Sequence, residues 1–240
     1  MNRDTASGHR SGPPTPPART PRSRLVLIVG GFVALFVCLL AFGAIAEDVH
    51  EQEASALDAI ATPLLHGLSN PTLDAVMNVI TELGSIPVVV PLFIIALGLL
   101  LWRRHPREAL FLAVSTVGGA VLNESLKLIF HRPRPQLAWA AVQPDYSFPS
   151  GHAMSSLILY VAIGLIIGVI WGRRAGLVAV VIAVVIALLV GTSRIYLGYH
   201  YLTDVVGGLF AGAAWLLIVL TALDGRLWPR GWRAETPPGP

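Results

Sequence analysis

Two histidines stand apart in a 240-residue chain that is otherwise poor in polar side chains. His152 closes the stretch Phe148-Pro-Ser-Gly-His at the doorway of a long apolar run, and His200 stands four residues before Asp204. On a helix that spacing puts the imidazole and the carboxylate on one face. A carboxylate so placed holds one ring nitrogen as N–H and leaves the other free to attack. Phosphoryl transfer uses two such groups: a neutral imidazole that attacks phosphorus and forms a covalent phosphoenzyme, and a protonated one that gives the leaving oxygen its proton. On this chemistry His200 is the nucleophile, Asp204 its orienter and His152 the general acid. Once neutral, His152 can activate the water that hydrolyses the phosphohistidine.

Lys127, Arg134 and Arg194 add positive charge with donors suited to phosphate oxygens, arginine as a bidentate fork and lysine as a point charge. Ser150 and Gly151 stand just before a helix, where unpaired backbone N–H groups and the positive dipole end favour an anion. Gly151 lets the backbone approach closely, and the Ser150 hydroxyl adds a donor. The expected phosphate-binding set is therefore Lys127, Arg134, Ser150, Gly151 and Arg194. These cations can neutralise transition-state charge, so no metal or other cofactor is expected. Two histidines and a carboxylate also make a metal triad, but several fixed cations at the same spot would repel a divalent ion. Each residue taken alone has a plainer use: a helix cap, a snorkelling anchor at Arg194, loop charges at Arg132 and Arg134. Those uses would have to hold at four places at once. Glu124, three residues before Lys127, reads as its buried charge partner; Asp145 and Tyr146 have no placement without a fold.

The elements that must position these residues are membrane helices. With 54% hydrophobic and 13% charged residues the chain is too apolar for an ordinary soluble domain of its length. A helical span needs about 20 mostly apolar residues, and six segments qualify: 25–46, 86–102, 108–130, 152–172, 175–192 and 201–223. The second is short and carries Pro87 and Pro91. The expected fold class is an all-α integral membrane protein, with a disordered tail over 1–24, a six-helix domain over 25–223 and a C-terminal tail over 224–240. The single cysteine, Cys38, excludes an intramolecular disulfide. Ala44-Ile-Ala imitates a signal-peptidase site, but the apolar stretch before it outruns the roughly 7–15 residues of a signal core, so a retained anchor is expected. Leu73, Val76, Met77, Ile80 and Leu83 recur at helical spacing. A helix over 71–84, lying on the outer interface or packed on the bundle, would roof a site near the outer surface.

Positive charge sets the orientation. Arg3, Arg10, Arg19, Arg22 and Arg24 precede the first span; Arg103, Arg104 and Arg107 lie between the second and third. Arg173 and Arg174 lie between the fourth and fifth, and Arg226, Arg230 and Arg233 follow the sixth. The positive-inside rule makes that side, with both termini, cytoplasmic. Residues 47–85, on the other side, contain seven carboxylates and no lysine or arginine. The remaining cations, Lys127, Arg132, Arg134 and Arg194, fall where topology would not put them, and ionisable groups at such depths are costly and functional.

Three stretches carry a resemblance. Lys127-LIFHRP-Arg134-Pro135, Pro149-Ser-Gly-His152 and Ser193-Arg194-IYLGY-His200-YLT-Asp204 resemble, in order and internal spacing, the three-part motif of the type 2 phosphatidic acid phosphatase (PAP2) family, which shares its site with vanadium haloperoxidases. The resemblance implies a six-helix membrane fold, a phosphohistidine on His200, leaving-group protonation by His152, and phosphate binding by Lys127, Arg134, Ser150, Gly151 and Arg194. No motif position departs from the pattern. Arg132 is not among the family's fixed positions and takes no role beyond local positive potential. The expected activity is hydrolysis of a lipid phosphate or diphosphate at the extracytoplasmic face of the cell membrane. Phosphatidic acid, phosphatidylglycerol phosphate and undecaprenyl diphosphate all fit as substrates. A lipid phosphotransferase is a second reading, a headgroup binder or transporter a third, and a haloperoxidase is disfavoured by the membrane spans. The expected partners are the lipid substrate and the bilayer, with no nucleic acid; no oligomeric state is specified.

Overall fold

The computed structural model describes residues 21–51, 56–140 and 143–227. The described residues form helices and no strand: α1 (Pro21–His50), α2 (Ala56–His66), α3 (Pro71–Glu82), α4 (Ile86–Trp102), α5 (Pro106–Phe130), α6 (Gly151–Trp171), α7 (Arg173–Tyr196) and α8 (Leu202–Leu227). Five of them, α1, α5, α6, α7 and α8, are individually long and apolar enough to cross a bilayer. At 17 residues α4 extends about 26 Å, short of a hydrocarbon core of about 30 Å. It reaches spanning length with α3, from which it bends by 40°. Pro87 in its first turn and Pro91 within it fit a helix that starts at a break. The expected all-α membrane fold is present; five helices reach spanning length singly, and α4 does so only together with the bent-off α3. α1 starts at Pro21 and α8 ends at Leu227, slightly outside the expected 25–223; the rest of both tails, 1–20 and 228–240, lies outside the described residues.

α6 is the central helix. Met154, Ile158, Leu159, Ala162 and Ile166 form the core with Phe111 and Leu112 of α5 and Ala211, Leu216 and Val219 of α8. Its other side meets α7 where small residues let the backbones touch: a Cβ on Gly176 would lie 2.4 Å from Gly168 Cα. Outward-facing side chains stay apolar, among them Phe32, Phe36 and Leu40 of α1 and Val178 and Ile182 of α7. Such apolar faces, present on α1, α4, α5 and α7, have no stable place in water and match a hydrocarbon surround.

Two shorter elements close one end of the bundle. α3 runs over most of the expected 71–84 helix, capped by Asn70 Oδ1, which accepts from Leu73 N at 3.0 Å. It packs on the end of α7, where Tyr196 Oη donates to Asp74 Oδ1 at 2.5 Å. α2 is not among the elements expected from sequence. It is only 11 residues long, with Pro63 inside, and its buried face carries Asp58.

Candidate functional site

The C-terminal ends of α5 and α7 and the N-terminal ends of α6 and α8 meet at that same end of the bundle, opposite the α4–α5 and α6–α7 turns. Lys127 lies one turn before the end of α5, Gly151 and His152 open α6, Arg194 lies in the last turn of α7, and His200 and Asp204 flank the start of α8. Arg134 reaches in from the α5–α6 loop. Phe148, fully buried against Phe42 of α1 and Phe130 of α5 with ring centroids 5.7 and 5.0 Å away, anchors that loop just before Pro149-Ser150. Ser150 N donates to Asp204 O at 2.9 Å, joining the start of α6 to that of α8.

His200 is 1% exposed. Its Nδ1 faces Asp204 Oδ2 at 3.3 Å, and its Nε2 lies 3.2 Å from Arg134 Nη1. A guanidinium only donates, so Nε2 must accept and the ring proton belongs on Nδ1, directed at the carboxylate. The neutral tautomer, with its lone pair on Nε2 and here accepting from Arg134, is the form a nucleophile requires. Burial pulls the His200 imidazole down from its ordinary 6.5 to about 4, against the opposing pull of Asp204, so it is neutral near pH 7. His152 stands within electrostatic reach of His200, Arg134, Arg194 and Lys127. All eight residues expected from sequence lie at this one end.

Two expected details change. Ser150 spends its own amide on Asp204, so the amides open to an anion are those that a helix start leaves without intrahelical acceptors, at Gly151, His152 and Ala153. Glu124 pairs with Lys127 at 3.6 Å but its side chain is 69% exposed, so it is a surface partner rather than a buried one. The stronger partner is Asp145, which accepts from Lys127 Nζ at 2.5 Å and from Arg134 Nη2 at 2.7 Å. Burial alone would raise the Asp145 carboxyl, but Lys127 and Arg134 outweigh it and hold it at about 2.

Polar atoms left open mark what the cluster lacks. Ser150 Oγ and the Nε of Arg194 are buried without a hydrogen-bond partner, although Arg194 Nη1 donates to Thr81 Oγ1 of α3 at 3.0 Å. Burying such donors unpaired is costly, and an anion would satisfy both. A Cβ on Gly151 would sit 3.1 Å from Asn123 Oδ1 and 3.9 Å from Lys127 Nζ, filling space beside the lysine. Among the described residues no group of three or more His, Cys, Asp or Glu is placed to hold a metal ion.

Sequence reasoning missed Arg132 and Asp58. Arg132 is no loose loop charge: Nη1 donates to Asp204 Oδ1 at 2.6 Å and Nη2 to Asp58 Oδ2 at 2.8 Å. A charged residue inside the apolar face of α2 is the only sequence signal that could have flagged Asp58, and nothing local pairs it with Arg132.

Fold and cluster together define a multi-pass membrane protein with a buried, cation-ringed histidine at one end of its helices, the arrangement of a membrane phosphatase. The chain belongs to the PAP2 superfamily, whose family model matches residues 108–228. It is 32% identical over 189 residues to phosphatidylglycerophosphatase B of Bacillus subtilis (strain 168), covering 78% of this chain and 92% of that protein. It is also 32% identical over 152 residues to undecaprenyl-diphosphatase BcrC of the same organism, covering 60% and 73%. Among solved structures it resembles a transmembrane PAP2 type phosphatidylglycerolphosphate phosphatase from Bacillus subtilis with a TM-score of 0.73 and 29% identity, over 80% of this chain and 96% of that one. LpxE of Aquifex aeolicus matches with a TM-score of 0.58 and 27% identity, over 70% and 98%. The protein is a phosphatase of the PAP2 type.

Proposed function

We propose that the protein hydrolyses the phosphate or diphosphate of a lipid headgroup through a phosphohistidine on His200, at the extracytoplasmic face of the cell membrane. The observation that carries this reading is the Nε2 lone pair of a neutral, carboxylate-held His200 beside cations and orphaned donors. Ser150, Arg194, Arg134, Lys127 and the first amides of α6 hold the phosphoryl oxygens, displacing the Asp145 carboxylate from Lys127 and Arg134 and turning Arg134 Nη1 from the His200 Nε2 lone pair to the phosphoryl group. His200 Nε2 attacks phosphorus as the P–O bond to the lipid breaks, and His152 gives its proton to the departing oxygen. His152, now neutral, takes a proton from water; the hydroxide attacks phosphorus, the P–N bond breaks, and inorganic phosphate and free His200 result. Lipid tails never leave the bilayer, because the site opens at the ends of apolar helices. Relatives named for phosphatidylglycerophosphate and undecaprenyl diphosphate support an anionic bacterial lipid as substrate.

The test is phosphate release by the purified protein in detergent, from phosphatidylglycerol phosphate, phosphatidic acid and undecaprenyl diphosphate. Release should survive excess EDTA and be blocked by vanadate, which takes the place of the phosphoryl group. Activity lost in EDTA and restored by a divalent ion would overturn the metal-free mechanism, and no release from any of these lipids would overturn the proposed activity.

Sidedness has its own test. The arginine-bearing turns Arg103–Arg107 and Arg173–Arg174 lie at the end opposite the site, which supports an extracytoplasmic site by the positive-inside rule. In a Cys38→Ala background, Gln136→Cys on the α5–α6 loop should react with an impermeant maleimide in intact cells, and Arg104→Cys only after lysis. The reverse pattern would put the site in the cytoplasm.

A further inference from the structure

Asp204 makes more contacts than a histidine orienter needs. Its Oδ2 accepts from Tyr201 N at 2.9 Å as well as facing His200, which is the backward half of a capping box at the start of α8. Tyr201, at the N-cap position, has no short side-chain acceptor to complete the cap. Asp58 supplies it from α2: its Oδ1 accepts from Thr203 N at 2.9 Å and its Oδ2 from Thr203 Oγ1 at 2.6 Å. Arg132 then bridges the two carboxylates, with Nη1 also 2.7 Å from Thr203 Oγ1 and its guanidinium stacked 4.2 Å over the Tyr201 ring. Asp58 is 5% exposed and Asp204 0%. Asp58 lies outside the residues matched by the family model.

Charge explains why both partners are present. Arg132 alone would lock Asp204 in place but also neutralise it, weakening its hold on the Nδ1 proton of His200. Asp58 cancels that charge, so Asp204 is fixed and keeps its negative field for the positive imidazole that forms when Nε2 bonds to phosphorus.

We propose that Asp58 and Arg132 form a positioning relay, running from α2 through the α5–α6 loop, that fixes Asp204 against His200 and sets the reactivity of His200. This rests on the reading of His200 as the nucleophile. Neither relay residue touches substrate, so the expected defect is in the rate of phosphoenzyme formation and not in binding.

The test compares wild type, Asp58→Asn, Arg132→Lys and the double variant in detergent, with phosphatidylglycerol phosphate as substrate and thermal unfolding followed in parallel. Asp58→Asn keeps the shape and one acceptor but leaves Arg132 uncompensated. Its kcat should fall about tenfold or more with KM within about twofold. Its acid limb in kcat/KM should lie at lower pH than that of wild type, because His200 loses negative field while its other neighbours, Asp204, Arg134, Arg194 and His152, are unchanged. Arg132→Lys keeps the charge without the fork and should retain part of the activity; the double variant should lose less than the product of the two single losses, since both act through Asp204. A lowered unfolding temperature in Asp58→Asn, with kcat and the acid limb as in wild type, would reduce the relay to a helix cap and overturn the proposal. Wild type that releases phosphate but keeps its rate in His200→Ala would overturn the nucleophile reading and the relay with it, whereas failure of the Asp58→Asn prediction alone leaves that reading standing.

Discussion

His200→Ala should lower phosphate release by at least about 10³-fold, because removal of a nucleophile leaves only what binding and electrostatics contribute. The residue is fully buried, so alanine also leaves a hole; His200→Gln, closer in size and still polar, should show the same loss in protein of wild-type elution profile and unfolding temperature. The intermediate is the sharper readout. Wild type quenched during turnover of labelled substrate should carry phosphate that acid releases and alkali does not, the behaviour of a phosphoramidate. Neither variant should carry any. The pH profile follows from the burial of His200. Its Nε2 lone pair is present above about pH 4 and is lost as pH falls through that value, so the acid limb of kcat/KM belongs near 4, well below that of an ordinary histidine. Label retained by His200→Gln would move the nucleophile elsewhere.

The residues that carry charge in the expected mechanism were legible in the sequence because apolar spans cannot hide them. A lysine, two arginines and two histidines at helix ends or in the loop that joins two of them stand out against runs of Leu, Val and Ile, and their register on alternating spans puts them at one end without any knowledge of packing. What the sequence could not show depends on contacts between segments far apart in the chain. Arg132 and Arg134 are two residues apart in one loop, and only the fold sends Arg134 to His200 and Arg132 to Asp204 and Asp58. Asp58 is 74 residues from Arg132 on a helix too short and too Pro-interrupted to register as an element. Asp145 has the same character: nothing around it marks a carboxylate that occupies two of the cations. The bent α3–α4 pair was half legible, since Pro87 and Pro91 marked a weak span, but its joining to the amphipathic helix before it depends on the turn between them.

His152→Ala should separate the two histidines by their dependence on the leaving group. An alcohol leaves as a strongly basic alkoxide unless a proton reaches it, so loss of a general acid should cost about 10²-fold or more on phosphatidic acid or phosphatidylglycerol phosphate. Nitrophenolate leaves without a proton, so phosphoenzyme formation from p-nitrophenyl phosphate should be nearly unaffected. The second step still needs His152 as base, and its loss leaves the phosphoenzyme stranded. The expected trace is one equivalent of nitrophenolate released in a burst, followed by slow turnover, with acid-labile phosphate accumulating on the protein. A diphosphate falls with the nitrophenyl ester, because its leaving group is a lipid phosphate whose second pKa of about 6 makes it far less basic than an alkoxide. The ratio of losses across monoester and diphosphate lipids therefore reports how much proton transfer each demands of the site. Equal losses on all three substrate types, with no burst, would mean that His152 shapes the pocket instead of moving a proton. The leaving oxygen would then draw its proton from water entering at the open end of the helices.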